Sequence, residues 1–493
     1  MISEYPVIGA IVLIGLLVLL WSKFGWFNLR RALRRRAFGG ARWAKLRDVM
    51  RAGLTSGKGL FLGHMKGRDL SHNDEGHLMT IGGAGGGKSA ALVVPALLEL
   101  TEGSIVVTDP SGELAAITRR HRETIGPVVL LNPFQSVFEA DTGLDLPDAG
   151  FNPLSVLDPK SDSFVTDCAA IARLLCVTDR KESGTYFQDE GAEFLALIIA
   201  AVVMFEDKDL HTLTFLYQLV RDTSENILQR LEWIEDEQHP ALRDDAARFA
   251  DIIRIAKPQW AGIVSKAALA TKRYAPSTPL GVHVEKDGFD ASTLKQDNVT
   301  VYLLVPSSML PVALPWMNLL IGVFGGAVGK PGKAQPVTLL IDEAPAIGYL
   351  PDLRTFMAQF RKVGLRVWIF TQTAAALESE DLYGKTGFKE LMGICSIKQF
   401  FSIREPEVAQ MISDLCGQRT VSNVSASETG ANVGDVGQPL IRPDEVRGLR
   451  KYEQILIVDT LQSPIRAKLR PYFKRKKWAA MTDPNPYRKD LNV

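Results

Sequence analysis

Short apolar runs recur along the chain and are separated by loops or by stretches with helical spacing. Each run is five to seven residues long and rich in Val, Ile and Leu. Runs of this kind are typical of strands buried on both faces, and their alternation with helical stretches predicts an α/β fold with a mostly parallel sheet. The predicted strands are His77–Gly82, Ile105–Asp109, Val128–Asn132, Val299–Val305, Val337–Asp342, Val367–Thr371, Ile397–Ile403 and Gln454–Asp459.

The pattern changes between about Ser155 and Tyr274, where strand-like runs disappear. Apolar residues there recur with helical spacing, which predicts an inserted all-α domain. The predicted helical segments are Phe187–Met204, Thr212–Gln218, Ile227–Ile234 and Ala241–Ala256.

A third pattern covers Val421–Gly437, which is rich in Ser, Asn, Gly and Val and has almost no large apolar side chain. This composition predicts a long mobile loop.

The N-terminus begins with an uncharged, mostly apolar run, Tyr5–Trp21, just long enough to cross a thin bilayer as a helix. A signal sequence and a buried core helix are the alternatives. Glu4 precedes the run and an arginine cluster follows it, which is the reverse of a signal peptide and places the rest of the chain in the cytoplasm. The sequence therefore predicts a single-pass membrane anchor.

The net charge of +1 conceals a basic segment near the N-terminus. Lys23–Arg68 contains thirteen Lys and Arg residues against one acidic residue, Asp48. Contact with anionic membrane lipids and direct contact with DNA both remain open for this segment. With 493 residues, 46% of them hydrophobic, the chain is long and apolar enough to exclude a disordered protein. The four cysteines and seven histidines show no metal-ligand spacing, so reduced, structural thiols are expected.

A glycine-rich loop follows the first predicted strand and precedes the helical run Ala90–Leu100. It matches G-x-x-x-x-G-K-[ST]. Glycines let the backbone wrap phosphate oxygens, and the lysine supplies positive charge to the β- and γ-phosphates. A flexible turn, a kinase and a GTPase are the alternatives for this loop alone. Its residues are Gly82-Gly83-Ala84-Gly85-Gly86-Gly87-Lys88-Ser89.

A second motif completes the chemistry expected for ATP and Mg²⁺. Ser89 offers a hydroxyl ligand for Mg²⁺, and Asp342 ends an apolar run, where it would hold the ion at the carboxyl edge of the sheet. Glu343 is then placed to polarise the water that attacks the γ-phosphate. The pair favours hydrolysis over the alternatives above.

Three further residues accompany the run that ends at Thr371. Gln372 follows it, where a glutamine can contact the γ-phosphate or water; an ordinary polar strand end is the alternative. Arg361 and Arg366 flank its start, and in a ring of subunits either would reach the neighbouring nucleotide and stabilise transition-state charge.

Together these residues resemble the type IV secretion coupling proteins, the TraG-like conjugation ATPases. The resemblance extends over roughly Gly59–Phe473. Besides the glycine loop, the motifs that carry it are Asp109-Pro110-Ser111-Gly112-Glu113, Asn132-Pro133, Phe151-Asn152-Pro153-Leu154, Leu340-Ile341-Asp342-Glu343-Ala344, Gly364 to Gln372 and Pro439-Leu440-Ile441-Arg442-Pro443-Asp444-Glu445-Val446.

The resemblance implies a RecA-like P-loop motor domain, an inserted all-α domain and a transmembrane helix in the bacterial inner membrane. It also implies a homo-hexamer that delivers a relaxase-bound DNA strand to the components of the secretion channel. Arg361 lies where the family's trans-acting arginine is expected. Members commonly have two membrane helices and an acidic tail, whereas this sequence offers one helix and ends soon after Lys474–Lys477. The single helix therefore argues against contacts to the channel through a periplasmic domain, and cargo recognition is expected in the α insertion or an adaptor.

These inferences divide the chain into six parts. They are a membrane anchor at 1–27, a basic juxtamembrane segment at 28–58, the nucleotide-binding domain at 59–154 and 279–478, the all-α domain at 155–278 and a tail at 479–493.

Two functions share this ATPase site. The leading one is ATP-driven pumping or delivery of DNA, and the alternative is a receptor that recruits protein effectors to the channel. A scaffold with a degenerate site is disfavoured because the lysine, serine and both carboxylates are present.

Overall fold

The computed structural model describes residues 38–176, 186–237, 239–330, 335–427 and 430–488. The predicted membrane helix within 1–27 lies outside these ranges. The chain forms two compact units. Of the described residues, the larger unit takes in those between 44 and 405 and from 449 to 488, and the smaller takes in those from 38 to 43 and between 406 and 448.

Thirteen strands are found in the described residues. They are β1 Leu60–Met65, β2 Arg68–His72, β3 Leu78–Gly82, β4 Ser104–Asp109, β5 Val128–Leu131, β6 Thr300–Leu304, β7 Val337–Ile341, β8 Leu365–Thr371, β9 Ile397–Phe401, β10 Gln418–Ser427, β11 Gly430–Pro439, β12 Glu453–Val458 and β13 Ile465–Lys468.

The larger unit is built on one eleven-stranded sheet with the order β2-β1-β13-β12-β9-β3-β8-β7-β4-β6-β5. The seven strands from β9 to β5 are parallel, and β12, β13, β1 and β2 extend the sheet with antiparallel pairs. The predicted α/β fold with a mostly parallel sheet is therefore confirmed. All eight predicted strands are present, with ends within two residues of those expected.

The parallel strands form because their side chains are apolar on both faces. Every residue of β3, β4, β6, β7, β8 and β9 is buried. In contrast, β2 and β13 contain exposed charged residues, and β1 and β2 meet at a tight turn. Strands β1, β2 and β13 therefore lack the long apolar run that would predict them. These three strands were not predicted.

Helices connect many of the strands and fill the segment between β5 and β6. The α-helices described are Leu46–Arg51, Val94–Glu99, Glu113–Arg122, Gln135–Thr142, Phe164–Cys176, Tyr186–Phe205, Leu213–Leu219, Ser224–Asp236, Arg243–Ile255, Lys257–Thr271, Pro279–Val284, Leu310–Gly329, Ala344–Ile347, Leu353–Gln359, Ala374–Leu377, Gly384–Ile394, Pro406–Cys416, Pro443–Arg447 and Lys476–Met481.

Between β5 and β6, the described residues form helices and no strand. Tyr186–Phe205 buries Phe194, Leu195 and every residue from Leu197 to Val203, so its second half is enclosed on all sides, as expected for a helix that is apolar all round. Phe194 packs edge-on against Trp260 at 5.0 Å between ring centroids. The predicted helical segments are thus present. They belong to the same compact unit as the sheet, so the separate all-α domain at 155–278 stays a prediction.

Ser307–Gly329 is the one helix of the described residues long and apolar enough to cross a membrane, with mean hydropathy 1.6. However, 67% of its most apolar stretch is buried inside the protein. Trp316 is fully buried and packs edge-on against His283 at 5.1 Å. These contacts fit a core helix of the larger unit.

The smaller unit contains the antiparallel hairpin β10–β11, which pairs Gln418 with Pro439 and continues to Ser427 opposite Gly430. Helices Pro406–Cys416 and Pro443–Arg447 flank it in sequence, and Ser413 Oγ donates a hydrogen bond to Ile441 O at 2.7 Å. The prediction of a long loop at Val421–Gly437 is therefore wrong. A hairpin ladder is made by backbone groups, and small and β-branched residues can form it without a large apolar face.

Candidate functional site

The glycine loop leaves the carboxyl end of β3, in the middle of the sheet. Gly82, the last residue of β3, pairs with Phe401 of β9, and Gly83 N donates a hydrogen bond to Phe401 O at 3.2 Å. One turn of π-helix, Ser89–Val93, follows the loop before the α-helix Val94–Glu99 begins. The strand–loop–helix context expected from the sequence is therefore present.

The loop forms one wall of a cavity of about 390 Å³. Residues from three other strand ends complete it. The lining residues are Gly82, Gly83, Ala84, Gly85, Gly86, Gly87, Lys88, Ser89, Ala90, Pro110, Ser111, Glu113, Asp342, Glu343 and Gln372.

Sheet order explains how these distant residues meet. β8 lies between β3 and β7, so Gln372 emerges beside both the glycine loop and Asp342. Asp342 follows β7, and its backbone N–H donates to Thr108 Oγ1 on β4 at 2.9 Å. Parallel strands bring their carboxyl ends to one edge, where α/β proteins bind ligands.

Four polar side chains of the cavity form one connected group, namely Lys88, Asp342, Glu343 and Gln372. Lys88 Nζ lies 2.9 Å from Asp342 Oδ1 and 3.0 Å from Glu343 Oε2. Gln372 Nε2 donates a hydrogen bond to the same Glu343 oxygen at 2.8 Å. Glu343 has a left-handed backbone with φ +60°, which is unusual for a residue with a Cβ and marks a constrained position.

Carboxylates dominate the electrostatics of the cavity. Burial opposes the charged form of Lys88, but Asp342 and Glu343 outweigh it and raise its pKa. The pKa of Asp109 is raised to about 7, mainly by burial and also by nearby Asp342 and Glu113, while the hydrogen bond from Ala115 N opposes the rise. Burial also raises the pKa of Glu113. An excess of acidic groups beside one lysine suits a site that receives a cation with a polyanion.

The residues predicted to hold Mg²⁺ fit that role. Ser89 and Asp342 line the same cavity, and the Asp342 carboxylate is held there by its ion pair with Lys88. Among the described residues, no group of three or more Asp, Glu, His or Cys side chains forms a complete metal site. Mg²⁺ usually takes one or two protein ligands and completes its shell with water and phosphate, so one hydroxyl and one carboxylate are a sufficient contribution from the protein.

The two arginines near β8 have different environments. Arg361 is exposed in a 3₁₀ turn before β8, at the opposite end of that strand from Gln372, and does not line the cavity of its own chain. Arg366 is buried and donates to Thr338 Oγ1 at 2.8 Å and to Asp74 O at 3.2 Å. The suggestion that Arg366 reaches a neighbouring nucleotide is therefore wrong, because its guanidinium is committed to groups of its own unit.

Several cavity neighbours had no role assigned from the sequence. Ser111 and Glu113 line it, and Asp109 accepts from Ala115 N at 2.8 Å to start the helix that follows β4. Their Asp-Pro-Ser-Gly-Glu motif was the available signal. Ser402 and Tyr452 lie against the glycine loop. Neither residue belongs to a local pattern that could have indicated this contact.

The sheet, the glycine loop at the end of a central strand and the Asp-Glu pair two strands away define a P-loop nucleotide-binding protein. The family described as Type IV secretory system Conjugative DNA transfer matches residues 42–490. The chain belongs to this family.

Two relatives illustrate the similarity. The type IV secretion system-coupling protein VirD4 of Bartonella quintana (strain Toulouse) is 27% identical over 436 residues, covering 83% of this chain and 65% of the relative. The probable conjugal transfer protein TraG of Sinorhizobium fredii (strain NBRC 101917 / NGR234) is 23% identical over 417 residues, covering 81% and 62%. The chain thus spans less than two thirds of these relatives.

Solved structures share the fold. The plasmid coupling protein TrwB in complex with ADP and Mg²⁺ has a TM-score of 0.64 at 16% identity, covering 88% of this chain and 96% of that one. TrwB with the non-hydrolysable ATP analogue ADPNP has a TM-score of 0.61 at 17% identity, covering 89% and 95%. At these identities the similarity establishes the architecture alone.

Proposed function

We propose that this chain is an inner-membrane coupling ATPase that binds ATP with Mg²⁺ and uses its hydrolysis to deliver relaxase-bound DNA to a type IV secretion channel. The main support is a set of connected polar side chains that share one cavity with the glycine loop, namely Lys88, Asp342, Glu343 and Gln372. Family membership supports the link to conjugative DNA transfer. The predicted N-terminal helix would provide the anchor.

Each side chain then has a defined task. The loop amides and Lys88 bind the β- and γ-phosphates, and Glu343 polarises the attacking water. Ser89 and Asp342 would hold Mg²⁺, which when bound neutralises phosphate charge during the transfer. Gln372, already hydrogen-bonded to Glu343, senses whether the γ-phosphate is present.

Nucleotide binding requires Lys88 to change partners. Its ammonium contacts two carboxylates at 2.9 and 3.0 Å. The γ-phosphate competes for the same ammonium and would leave Glu343 free to accept a proton from water. The exchange therefore couples phosphate binding to release of the catalytic carboxylate.

The ring is the remaining part of the proposal. Arg361 is exposed and distant from its own cavity, as a residue that completes the site of a neighbouring subunit would be. A homo-hexamer would place six such arginines in trans. The TrwB complexes with ADP and ADPNP support nucleotide binding by this fold.

The test is ATP hydrolysis by the purified full chain with and without single-stranded DNA. We expect hydrolysis that requires Mg²⁺, is stimulated by DNA and loses the stimulation as salt rises, because phosphate contacts release counterions. Hydrolysis without any effect of DNA, together with stable capture of a secreted protein, would instead support the effector receptor. Absence of hydrolysis in every condition would refute both.

A further inference from the structure

The glycine loop rests on two residues outside the P-loop motif. Ser402 directly follows β9, and Tyr452 directly precedes β12. Both have left-handed backbones, with φ +53° and φ +67°. The left-handed region is unfavourable for residues with a Cβ and persists where the surroundings enforce it.

Ser402 supports the first part of the loop from behind. A Cβ at Gly83 would collide with the carbonyl oxygen of Ser402, and one at Gly86 would lie 2.8 Å from Ser402 Oγ. The loop is closed on itself at the same place, because Gly86 N donates to Gly83 O at 3.0 Å. The backbone of Ser402 therefore requires a glycine at Gly83, and at Gly86 the Ser402 hydroxyl and Gly83 O together leave little room for a Cβ.

Tyr452 supports the end of the loop. A Cβ at Gly87 would lie 2.8 Å from Tyr452 Cε1, and Gly87 itself has φ +83°. The ring is partly buried against the core, and Tyr452 O accepts from Leu469 N at 2.7 Å, which ties the residue to the chain beyond β13. Gly87 immediately precedes Lys88, so the Tyr452 ring also restricts the backbone position of Lys88.

The described residues contain four non-glycine residues with positive φ, namely Lys66, Glu343, Ser402 and Tyr452. Three of the four are in or against the nucleotide site. We propose that Ser402 and Tyr452 are positioning residues that hold Gly83, Gly86 and Gly87 in the phosphate-binding form of the loop. Neither lines the cavity, so they act through the loop and not on nucleotide.

Their place in the chain adds a second consequence. The chain leaves the larger unit after Glu405, three residues beyond Ser402, and returns at Leu449, three residues before Tyr452. Each connection to the smaller unit therefore begins three residues from a residue that contacts the loop.

Hydrogen exchange of the nucleotide-free full chain tests the proposal. In Ser402→Gly and Tyr452→Asn, whose new residues tolerate a left-handed backbone, we expect amides within Gly83–Lys88 to exchange about tenfold faster. Tyr452→Phe should behave like the parent because it keeps the ring. Lys66→Gly is the matched control: it relieves the same backbone strain in the β1–β2 turn and should leave the loop unchanged.

Thermal unfolding separates positioning from a general structural role. Glycine relieves the strain of the left-handed backbone, so Ser402→Gly should unfold at a temperature no lower than that of the parent while its loop amides exchange faster. Unchanged loop exchange in both Ser402→Gly and Tyr452→Asn would overturn the proposal. So would equal acceleration throughout the sheet.

ADP binding provides the nucleotide readout and rests on the proposed function. We expect Ser402→Gly to bind ADP about tenfold more weakly than the parent, as loss of loop hydrogen bonds would produce. If the parent protein binds no ADP, the proposed function is refuted. Hydrogen exchange of the loop amides, measured without added nucleotide, still shows whether Ser402 and Tyr452 position the loop. If a variant whose loop amides exchange faster binds ADP as tightly as the parent, the loop position does not control nucleotide affinity.

Discussion

Replacement of Glu343 by glutamine should separate nucleotide binding from hydrolysis. The substitution keeps the size of the side chain and an acceptor oxygen for Lys88 and Gln372, whose donors lie 3.0 and 2.8 Å from Glu343 Oε2. It removes the carboxylate that would polarise water. General-base catalysis contributes roughly 10²–10⁴-fold, so hydrolysis should fall by at least about 100-fold.

Binding of ATP should become tighter in the same variant. Lys88 contacts both Asp342 and Glu343, and the γ-phosphate must replace part of this interaction. Glu343 is 24% exposed, so solvent weakens the ion pair, and its loss is expected to favour ATP by about 1 kcal/mol, or roughly fivefold in Kd. The result is a protein that holds ATP and does not turn it over.

The assay combines phosphate release with fluorescence titration of labelled ATP. Glu390→Gln is the control, because it removes an equal charge from a surface ion pair with Arg354 and lies outside the cavity. It should change neither quantity. Full hydrolysis by Glu343→Gln would refute the catalytic assignment, and weaker ATP binding would refute the competition for Lys88.

Three other predictions follow from buried or exposed charges. Burial raises the pKa of Asp109 from 3.8 to about 7. The stability that its protonated form contributes is therefore fully present below pH 4 and is lost as the pH rises through 7. Asp109→Asn should therefore gain stability over the parent across that window, by at most about 4 kcal/mol, measured by denaturant unfolding at each pH; an equal pH profile contradicts this. Arg366→Ala should destabilise the nucleotide-free protein by about 3 kcal/mol in the same assay, since Thr338 and Asp74 lose their donor; no loss contradicts the buried role. Arg361→Ala should leave unfolding unchanged and lower ATP hydrolysis about 100-fold, and mixing it with a Lys88→Ala protein should restore some activity if the arginine acts in trans; mixtures no more active than their parts contradict this.

Local sequence determines the parts of the site that need only neighbouring residues. Gly82–Ser89 can be assigned from its spacing because a phosphate-binding loop depends on backbone freedom and the helix that follows. Asp342 can be assigned because five buried positions of β7 precede it. The parallel strands were predicted for the same reason, since burial on both faces leaves a continuous apolar run.

Other features depend on contacts between distant segments. Arg361 and Arg366 flank the same strand and are chemically alike, and only burial distinguishes the exposed residue from the one bonded to Thr338. The β10–β11 hairpin lacks a large apolar pattern because its ladder uses backbone groups.

The glycine loop shows both contributions at one place. Its sequence predicted a phosphate-binding turn after a strand, with Lys88 and Ser89 at its end. Sheet order then brought Ser402 and Tyr452 against its glycines and placed Glu343 and Gln372 beside Lys88. Composition and spacing describe how a segment can fold by itself, whereas its partners are decided by which strands become neighbours in the tertiary structure.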